Sequence, residues 1–143
     1  MEFRRFTPGS SDYKHALILR QNILRAPLGL DIKDEDLSSE DDQLHFGLFE
    51  DDYILACVIA VPLENGKVKI RQMAVSEELQ GTGLGSKLFR YCLEELKERG
   101  FKKVELNARK TAVSFYEKHG FQIEGEEFTE VSIPHFKMTC SLW

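Results

Sequence analysis

A turn with glycine at every second position is the stretch of this sequence best suited to binding chemistry. Gly81, Gly83 and Gly85 follow an apolar strand that ends at Met73-Ala74-Val75, and they lead into an amphipathic helix. The first turn of a helix carries backbone N–H groups without intrahelical acceptors, and the helix dipole adds partial positive charge there. Glycines also let a ligand approach the main chain where a Cβ atom would block it. This order of elements therefore predicts a phosphate-binding site.

Two common phosphate motifs fit this turn poorly. A Walker loop needs four residues between its first glycine and a Gly-Lys-Ser/Thr run, whereas here Ser86 precedes Lys87 and the spacing is shorter. A dinucleotide fingerprint needs Gly-x-Gly-x-x-Gly, and Ser86 occupies the place of its third glycine, although Glu105 lies where the ribose-binding acid would be. That fingerprint also normally opens a parallel βαβ unit, whereas three strands joined by short loops are predicted before this turn.

The glycine turn and a second motif together resemble the GCN5-related N-acetyltransferase (GNAT) superfamily. Gln80, Gly83 and Gly85 match the Gln/Arg-x-x-Gly-x-Gly/Ala signature of that family. Residues 115–121, Phe-Tyr-Glu-Lys-His-Gly-Phe, are similar to its second signature, in which a helix bears a tyrosine shortly before the next strand. Ala112 matches the small residue one helical turn before this tyrosine. The two motifs occur in the family's order, and the resemblance covers most of the chain.

The resemblance implies an acyl-CoA, most often acetyl-CoA, as cosubstrate and a direct transfer of the acyl group to an amine. Main-chain N–H groups of the glycine turn would hold the pyrophosphate, and a bulge or splay beyond Val75 would let the strand end pair with pantetheine. Many members have asparagine where Arg109 stands, and Asn107 lies two residues earlier. The cofactor-binding residues predicted in this way are Met73, Ala74, Val75, Gln80, Gly81, Thr82, Gly83, Leu84, Gly85, Ser86, Asn107, Arg109 and Phe115.

Tyr116 is the predicted catalytic residue. The resemblance implies that its phenol protonates the departing CoA thiolate, although an aromatic side chain at this position also suits a hydrophobic core. The sequence leaves the general base open between Glu105, Glu130, His135 and a water molecule. Arg71 lies on the strand that leads to the glycine turn, where it either binds an anionic substrate group or forms a structural ion pair.

The composition is that of an ordinary globular protein, with 42% hydrophobic and 30% charged residues. A net charge of -5 argues against a nucleic-acid partner, which would require a basic surface. No apolar run has spanning length and the N-terminus lacks a signal-peptide pattern, so a cytoplasmic location without a membrane partner is predicted. The three cysteines show no CxxC spacing, and neither a metal site nor a disulfide framework is predicted.

The hydrophobic pattern predicts a single domain over residues 1–143 of the α/β class, in its α+β form. A mixed, mainly antiparallel sheet of six to seven strands is expected, with helices on both of its faces. The strands are expected within residues 2–6, 43–50, 53–63, 67–75, 101–108, 121–125 and 128–142, and the helices over 11–24, 83–99 and 110–119.

An acidic segment, residues 31–42, is the one marked concentration of charge in the chain. It is either a solvated connection or a rim that attracts a cationic acceptor. The predicted function is an N-acetyltransferase that acts on an amine of a small molecule or a protein. The alternative is an acyl-CoA-binding sensor or interaction module without turnover. Homodimers are frequent in the family, so a homodimer is a further expectation of the resemblance.

Overall fold

An eight-stranded sheet forms the centre of the computed structural model, which describes residues 1–143. Its spatial order is β1-β2-β3-β4-β5-β8-β6, with β7 paired to β8, and only the β4–β5 pair is parallel. This confirms the predicted mixed, mainly antiparallel sheet. The strand count is higher than the six to seven expected, because the chain after residue 121 forms two short strands against β8. The strands are β1 (Glu2–Phe6), β2 (Leu44–Glu50), β3 (Tyr53–Pro62), β4 (Lys67–Val75), β5 (Lys103–Arg109), β6 (Gln122–Ile123), β7 (Phe128–Glu130) and β8 (Ile133–Ser141).

Three α-helices flank the sheet, and the predicted helices correspond to them with shorter bounds. They are α1 (Ser11–Arg20), α2 (Leu84–Glu98) and α3 (Val113–Glu117). The α1 helix continues as a π-helical turn, Gln21–Arg25, and the chain then crosses the acidic segment in two 3₁₀ turns, Ile32–Asp34 and Ser38–Asp42. None of the helices is both long and apolar enough to cross a membrane.

The core lies on both sides of β3. Residues 54–60 of that strand are all buried, as its uninterrupted apolar pattern predicts for a strand covered on two faces. On one side α2 buries four residues at helical spacing, namely Leu88, Phe89, Cys92 and Leu96. On the other side α1 packs Ala16 and Leu19 against the sheet. The amphipathic pattern of α2 is thus matched by its packing.

Strands β4 and β5 separate soon after they pair. Their parallel pairing covers only residues 67–69 of β4 and 103–105 of β5. Beyond that point β4 stays with β3, while β5 stays with β8 along its whole length. The strands separate after Lys69, six residues before Val75, beyond which the resemblance predicts a bulge or splay. The separated strands leave a wedge-shaped gap in the sheet.

A β-bulge interrupts β4 inside this divergent part. The pairing with β3 shifts register between Arg71 and Ala74, where β4 contains two residues opposite one residue of β3. The inserted residue is Gln72, whose φ of +57° lies in the left-handed region that non-glycine residues rarely adopt.

The bulge reverses which residues of β4 face each layer of helices. Before it, Val68 and Ile70 belong to the core cluster of α2. After it, Ala74 belongs to the cluster of α1, and Met73 and Val75 pack toward the α2 cluster. Because side chains alternate along a strand, the reversal follows from the single inserted residue.

A buried ion pair anchors the acidic segment to α1. Arg20 and Glu40 are only 1% and 2% exposed, and they form two hydrogen bonds of 2.7 and 2.8 Å. The Tyr13 hydroxyl donates a third hydrogen bond to Glu40 at 2.7 Å, and the ring N–H of His45 donates to the Glu40 carbonyl oxygen at 2.9 Å. These contacts fix the end of the acidic segment against the sheet.

Candidate active site

A cavity of about 980 Å³ occupies the gap between the divergent strands. Residues of β4, β5 and β8 form its floor, the turn before α3 forms one end, and residues 23–35 form a roof over it. Residues predicted from both sequence motifs meet here, although they are far apart in the chain. Those that line the cavity are Met73, Gln80, Asn107, Arg109, Ala112 and Tyr116.

The glycine turn presents four N–H groups that have no acceptor within the protein, those of Gly81, Gly83, Gly85 and Ser86. Gly81 and Gly83 have φ values of +82° and +85°, which turn the chain into the 15-residue helix α2. Free N–H groups at the start of a helix of this length form an anion-binding site.

Three members of the predicted phosphate cradle serve the turn itself, and one of them is the Leu84 N–H, which donates to Thr82 Oγ1 at 3.5 Å. The N–H groups of Gln80 and Thr82 donate to the carbonyl oxygens of Glu77 and Leu79 at 3.3 and 3.2 Å. The side-chain amide of Gln80 also donates to the Val75 carbonyl oxygen at 3.1 Å. Gln80 therefore ties the glycine turn to the end of β4, a role that the sequence motif alone does not reveal.

The end of β4 directs main-chain groups into the gap. The N–H of Ser76 donates to the Leu55 carbonyl oxygen of β3 at 2.9 Å, so the alternation of a strand points the main chain of Val75 and Met73 the other way. The turn lies close to this edge, because a Cβ atom on Gly85 would be only 3.0 Å from Val75 Cγ2. Glycine at position 85 thus permits the close approach of α2 to β4.

Tyr116 lies at the edge of an aromatic cluster and lines the cavity. Its ring packs on Phe89, Phe115 and Phe121 with centroid distances of 5.4, 5.1 and 6.1 Å. Burial raises the pKa of Tyr116 to about 12, and the nearby charge of Arg109 opposes that rise only in part. The phenol is therefore protonated at neutral pH. Phe115 packs on Phe89 and His119 and does not line the cavity.

Two of the three proposed general bases are brought together. Glu130 and His135 both line the cavity, and His135 Nε2 lies 3.5 Å from a Glu130 carboxylate oxygen. His135 Nδ1 lies 2.8 Å from the Ile133 carbonyl oxygen. Because a carbonyl can only accept, Nδ1 donates in this contact, and Nε2 is the ring nitrogen that faces Glu130. Glu105 lies outside the cavity, 3.9 Å from Lys137 Nζ.

A clamp between the roof and β4, which no sequence motif predicts, holds the bulge in place. Arg25 forms a bidentate ion pair with Glu35, with one contact of 3.0 Å, and it donates a further hydrogen bond of 3.0 Å to the side chain of Gln72. The hydrogen bond from Arg25 also lowers the pKa of Glu35. No local pattern marks this contact, because its partners lie on separate elements 47 residues apart. The clamp fixes the roof to the strained residue of β4.

Arg71 makes no ion pair, so the alternative of a structural ion pair is wrong. No carboxylate lies within 4.0 Å of its guanidinium, and the same holds for Lys69 and Arg109. All three line the cavity. Three cations without carboxylate partners in one concave site can form ion pairs with anionic groups of a ligand.

Residues 31–142 match the family model described as an acetyltransferase (GNAT) domain. The match covers most of the chain, including the glycine turn and the Tyr116 motif. The protein therefore belongs to the GNAT family of acetyltransferases.

Relatives and solved structures agree with this assignment. The Bacillus subtilis protein YyaT, described as uncharacterised, is 27% identical over 97% of this chain and 95% of its own length. Escherichia coli ElaA has a TM-score of 0.84 at 26% identity, over 98% of this chain and 99% of its own. An aminoglycoside 6′-N-acetyltransferase solved in complex with coenzyme A has a TM-score of 0.80 over 100% and 98% of the two chains. Its identity of 16% limits that likeness to the fold.

Proposed function

We propose that this protein transfers the acetyl group of acetyl-CoA directly to an amine of a small molecule or a protein, with Tyr116 as general acid. One observation carries the proposal. Gln80 at the head of the glycine turn, Met73 near the end of β4 and the protonated phenol of Tyr116 line one cavity, and the free N–H groups of the turn follow directly after Gln80 in the chain. These groups suit three parts of acetyl-CoA. Free N–H groups bind a pyrophosphate, an open strand edge pairs with the amides of pantetheine, and a phenol protonates a leaving thiolate.

The residues present fit coenzyme A. The four N–H groups of the glycine turn suit a pyrophosphate, and the unpaired edge of β4 suits the two amides of pantetheine, which would add to it as a short strand. The coenzyme A complex of the structurally similar aminoglycoside acetyltransferase supports the same ligand for this fold. Asn107 and Arg109 line the opposite wall and are proposed to contact the same ligand.

Acetyl-CoA supplies a thioester whose carbonyl carbon accepts the amine and whose C–S bond then breaks. A main-chain N–H at the open edge of β4 is placed to stabilise the oxyanion. The Tyr116 phenol donates its proton to the departing sulfur and regains one from solvent. Nε2 of His135, with Glu130 beside it, accepts the proton that the amine loses.

Binding and turnover test this function separately. Calorimetry should show one acetyl-CoA site per chain, and a screen of amines with a thiol-release readout should show turnover with at least one of them. Absence of acetyl-CoA binding would contradict the proposal. Binding without loss of the thioester across a broad amine panel would instead favour the non-catalytic sensor.

The glycine turn allows a matched test of the phosphate site. Gly83→Ala, at a position where φ is +85°, is expected to strain the turn and raise the Kd for acetyl-CoA about 5-fold to 30-fold, as about 1–2 kcal/mol of left-handed strain implies. Gly9→Ala is the control, because Gly9 has a φ of +82° and equally open surroundings but lies before α1. It should lower the melting temperature similarly and leave the Kd unchanged. Equal effects of both variants on the Kd would contradict the assignment.

The general base is tested by three isosteric variants. His135→Gln and Glu130→Gln are expected to lower kcat, with the larger loss, about 100-fold, for His135→Gln, because His135 accepts the proton in the proposed mechanism. Glu105→Gln is the control, because Glu105 lies outside the cavity, and its kcat should not change. Steady-state kinetics at saturating acetyl-CoA measure the effect. If all three variants keep the wild-type kcat, a water molecule is the base.

A further inference from the structure

We propose that the acceptor amine also carries a carboxylate, and that Arg71 binds this carboxylate on the floor of the cavity. The inference rests on the proposed function and names the substrate class of that site. It assigns Arg71 to specificity for the acceptor, with Lys69 adding positive charge beside it. The acceptor class is thus a small amino acid or a similar bipolar amine.

The position of Arg71 on the sheet separates it from the phosphate site. Val68 and Ile70 pack in the core cluster of α2, so the alternation of β4 places Lys69 and Arg71 on the opposite face. The glycine turn lies on the α2 side, where Gly85 approaches Val75. The two anion-binding groups therefore lie on opposite faces of the sheet, and the pyrophosphate at one of them leaves the other for a different anion.

The roof comes close to Arg71 without neutralising it. Arg25 contacts Gln72, the next residue of β4, which brings the roof directly over this part of the strand. No carboxylate of the roof lies within 4.0 Å of the Arg71 guanidinium, and Glu35 is paired with Arg25 instead. A guanidinium in a concave site gains most from a planar anion that accepts two of its hydrogen bonds.

The charge of the remaining lining favours a carboxylate over a phosphate. Asp31, Asp34 and Glu130 line the same cavity and would repel a doubly charged group more strongly than a singly charged one. The same carboxylates attract the cationic amine of the acceptor, which lies apart from the acceptor's own carboxylate. Glu130 lies beside His135, where the amine must lose its proton. The cavity therefore offers cationic and anionic partners to one molecule.

Pairs of acceptors that differ only in this charge test the proposal. Free amino acids with aliphatic and aromatic side chains are compared with their carboxamides, together with a polyamine and an aminoglycoside, using acetyl-CoA and a thiol-release readout. At least one amino acid is expected to be acetylated with a kcat/KM about 10-fold to 100-fold above that of its carboxamide, the range expected for a hydrogen-bonded charge. This comparison uses the unmodified protein and needs no variant.

Variants of Arg71 then test whether this residue causes the preference for the free carboxylate. Arg71→Gln is expected to raise the KM of the amino acid about 10-fold or more, and to leave the KM of its carboxamide and of acetyl-CoA unchanged. Arg71→Lys keeps the charge but loses the planar fork, so an intermediate KM is expected. Lys67→Gln is the matched control, because Lys67 is an exposed cation on the same strand outside the cavity.

Several outcomes would overturn the inference. They are the absence of acetylation of every amino acid in the panel, equal rates for acids and carboxamides, a preference for the polyamine or the aminoglycoside, and an equal rise in the KM of acetyl-CoA in Arg71→Gln. If acetyl-CoA still binds and any amine is acetylated, the proposed function stands while the carboxylate is excluded. Loss of acetyl-CoA binding by the unmodified protein contradicts the proposed function itself.

Discussion

Replacing Tyr116 by phenylalanine is expected to lower kcat about 100-fold or more, within the range that a positioned general acid contributes. The variant loses only the hydroxyl group, and this group has no hydrogen-bond partner within the protein in the structure, while the ring keeps its packing on Phe89 and Phe121. Folding and acetyl-CoA binding should therefore be preserved. The loss should lie in kcat, because proton donation to sulfur occurs only as the C–S bond breaks.

The high pKa of Tyr116 gives this prediction a pH signature. Because burial raises the pKa to about 12, the phenol keeps its proton throughout the neutral and moderately alkaline range. A loss of kcat at alkaline pH below that value therefore cannot come from ionisation of Tyr116. The phenylalanine variant should show the same curve shape as the wild type, displaced downward.

Phe115→Leu is the companion control for Tyr116→Phe. Phe115 packs in the same aromatic cluster but does not line the cavity. Its replacement should therefore lower the unfolding free energy and leave kcat close to the wild-type value. Rates are measured by thiol release at saturating acetyl-CoA, and Kd values by calorimetry. Unchanged kcat in Tyr116→Phe at all pH values would remove the tyrosine from the mechanism and leave it as a core aromatic.

Replacing Glu40 by alanine is expected to cost about 3–5 kcal/mol of unfolding free energy, because it leaves Arg20 as an uncompensated buried charge. For a chain of this length the melting temperature should fall by roughly 6–20 °C. Tyr13 would lose its acceptor as well. Glu124→Ala is the control, since Glu124 is exposed and forms only surface ion pairs with Lys103 and Lys137. Such pairs contribute about 0–1 kcal/mol.

A double variant separates the ion pair from the packing around it. Arg20→Met combined with Glu40→Leu removes both charges and keeps similar side-chain volume, so it should recover much of the stability that Glu40→Ala loses. Denaturant unfolding measures all three variants. If Glu40→Ala and Glu124→Ala have equal effects, the buried network does not anchor the acidic segment.

The same pair makes the stability of the fold depend on pH in the acid range. Burial by itself would raise the pKa of Glu40, but the hydrogen bonds from Arg20 and Tyr13 and the charge of Arg20 outweigh it and lower that pKa. A carboxylate with a lowered folded-state pKa contributes stability above its unfolded value of about 4.3. This contribution is lost as the pH falls through the folded-state pKa. Wild-type stability should therefore decrease in acid more steeply than that of the double variant.

Local patterns predicted the parts of this protein that depend on neighbours in the chain. The glycine turn, the apolar face of α2 and the motif around Tyr116 are each encoded in one short continuous segment, and Gln80 and Tyr116 of the two motifs line one cavity. The continuous apolar run of β3 likewise predicted a strand buried on both faces.

Features that depend on distant partners could not be predicted in this way. The bulge at Gln72, its contact with Arg25 and the pairing of Arg20 with Glu40 join residues on different elements. A register shift in a strand depends on its partner strand, and no periodicity within β4 marks it. For the same reason, three candidate bases looked equivalent until the fold brought Glu130 and His135 together and left Glu105 outside.

The inserted residue in β4 gives the two halves of one strand opposite orientations. Upstream of Gln72, Lys69 and Arg71 face the roof side of the sheet, whereas downstream of it Met73 and Val75 face the glycine turn. Substitutions in the first half should change which acceptor is chosen without disturbing how the acyl donor is held. Under the proposed function, redesign of acceptor preference would begin at Lys69 and Arg71, which are neighbours on one face of the strand, with Met73 and Val75 left unchanged.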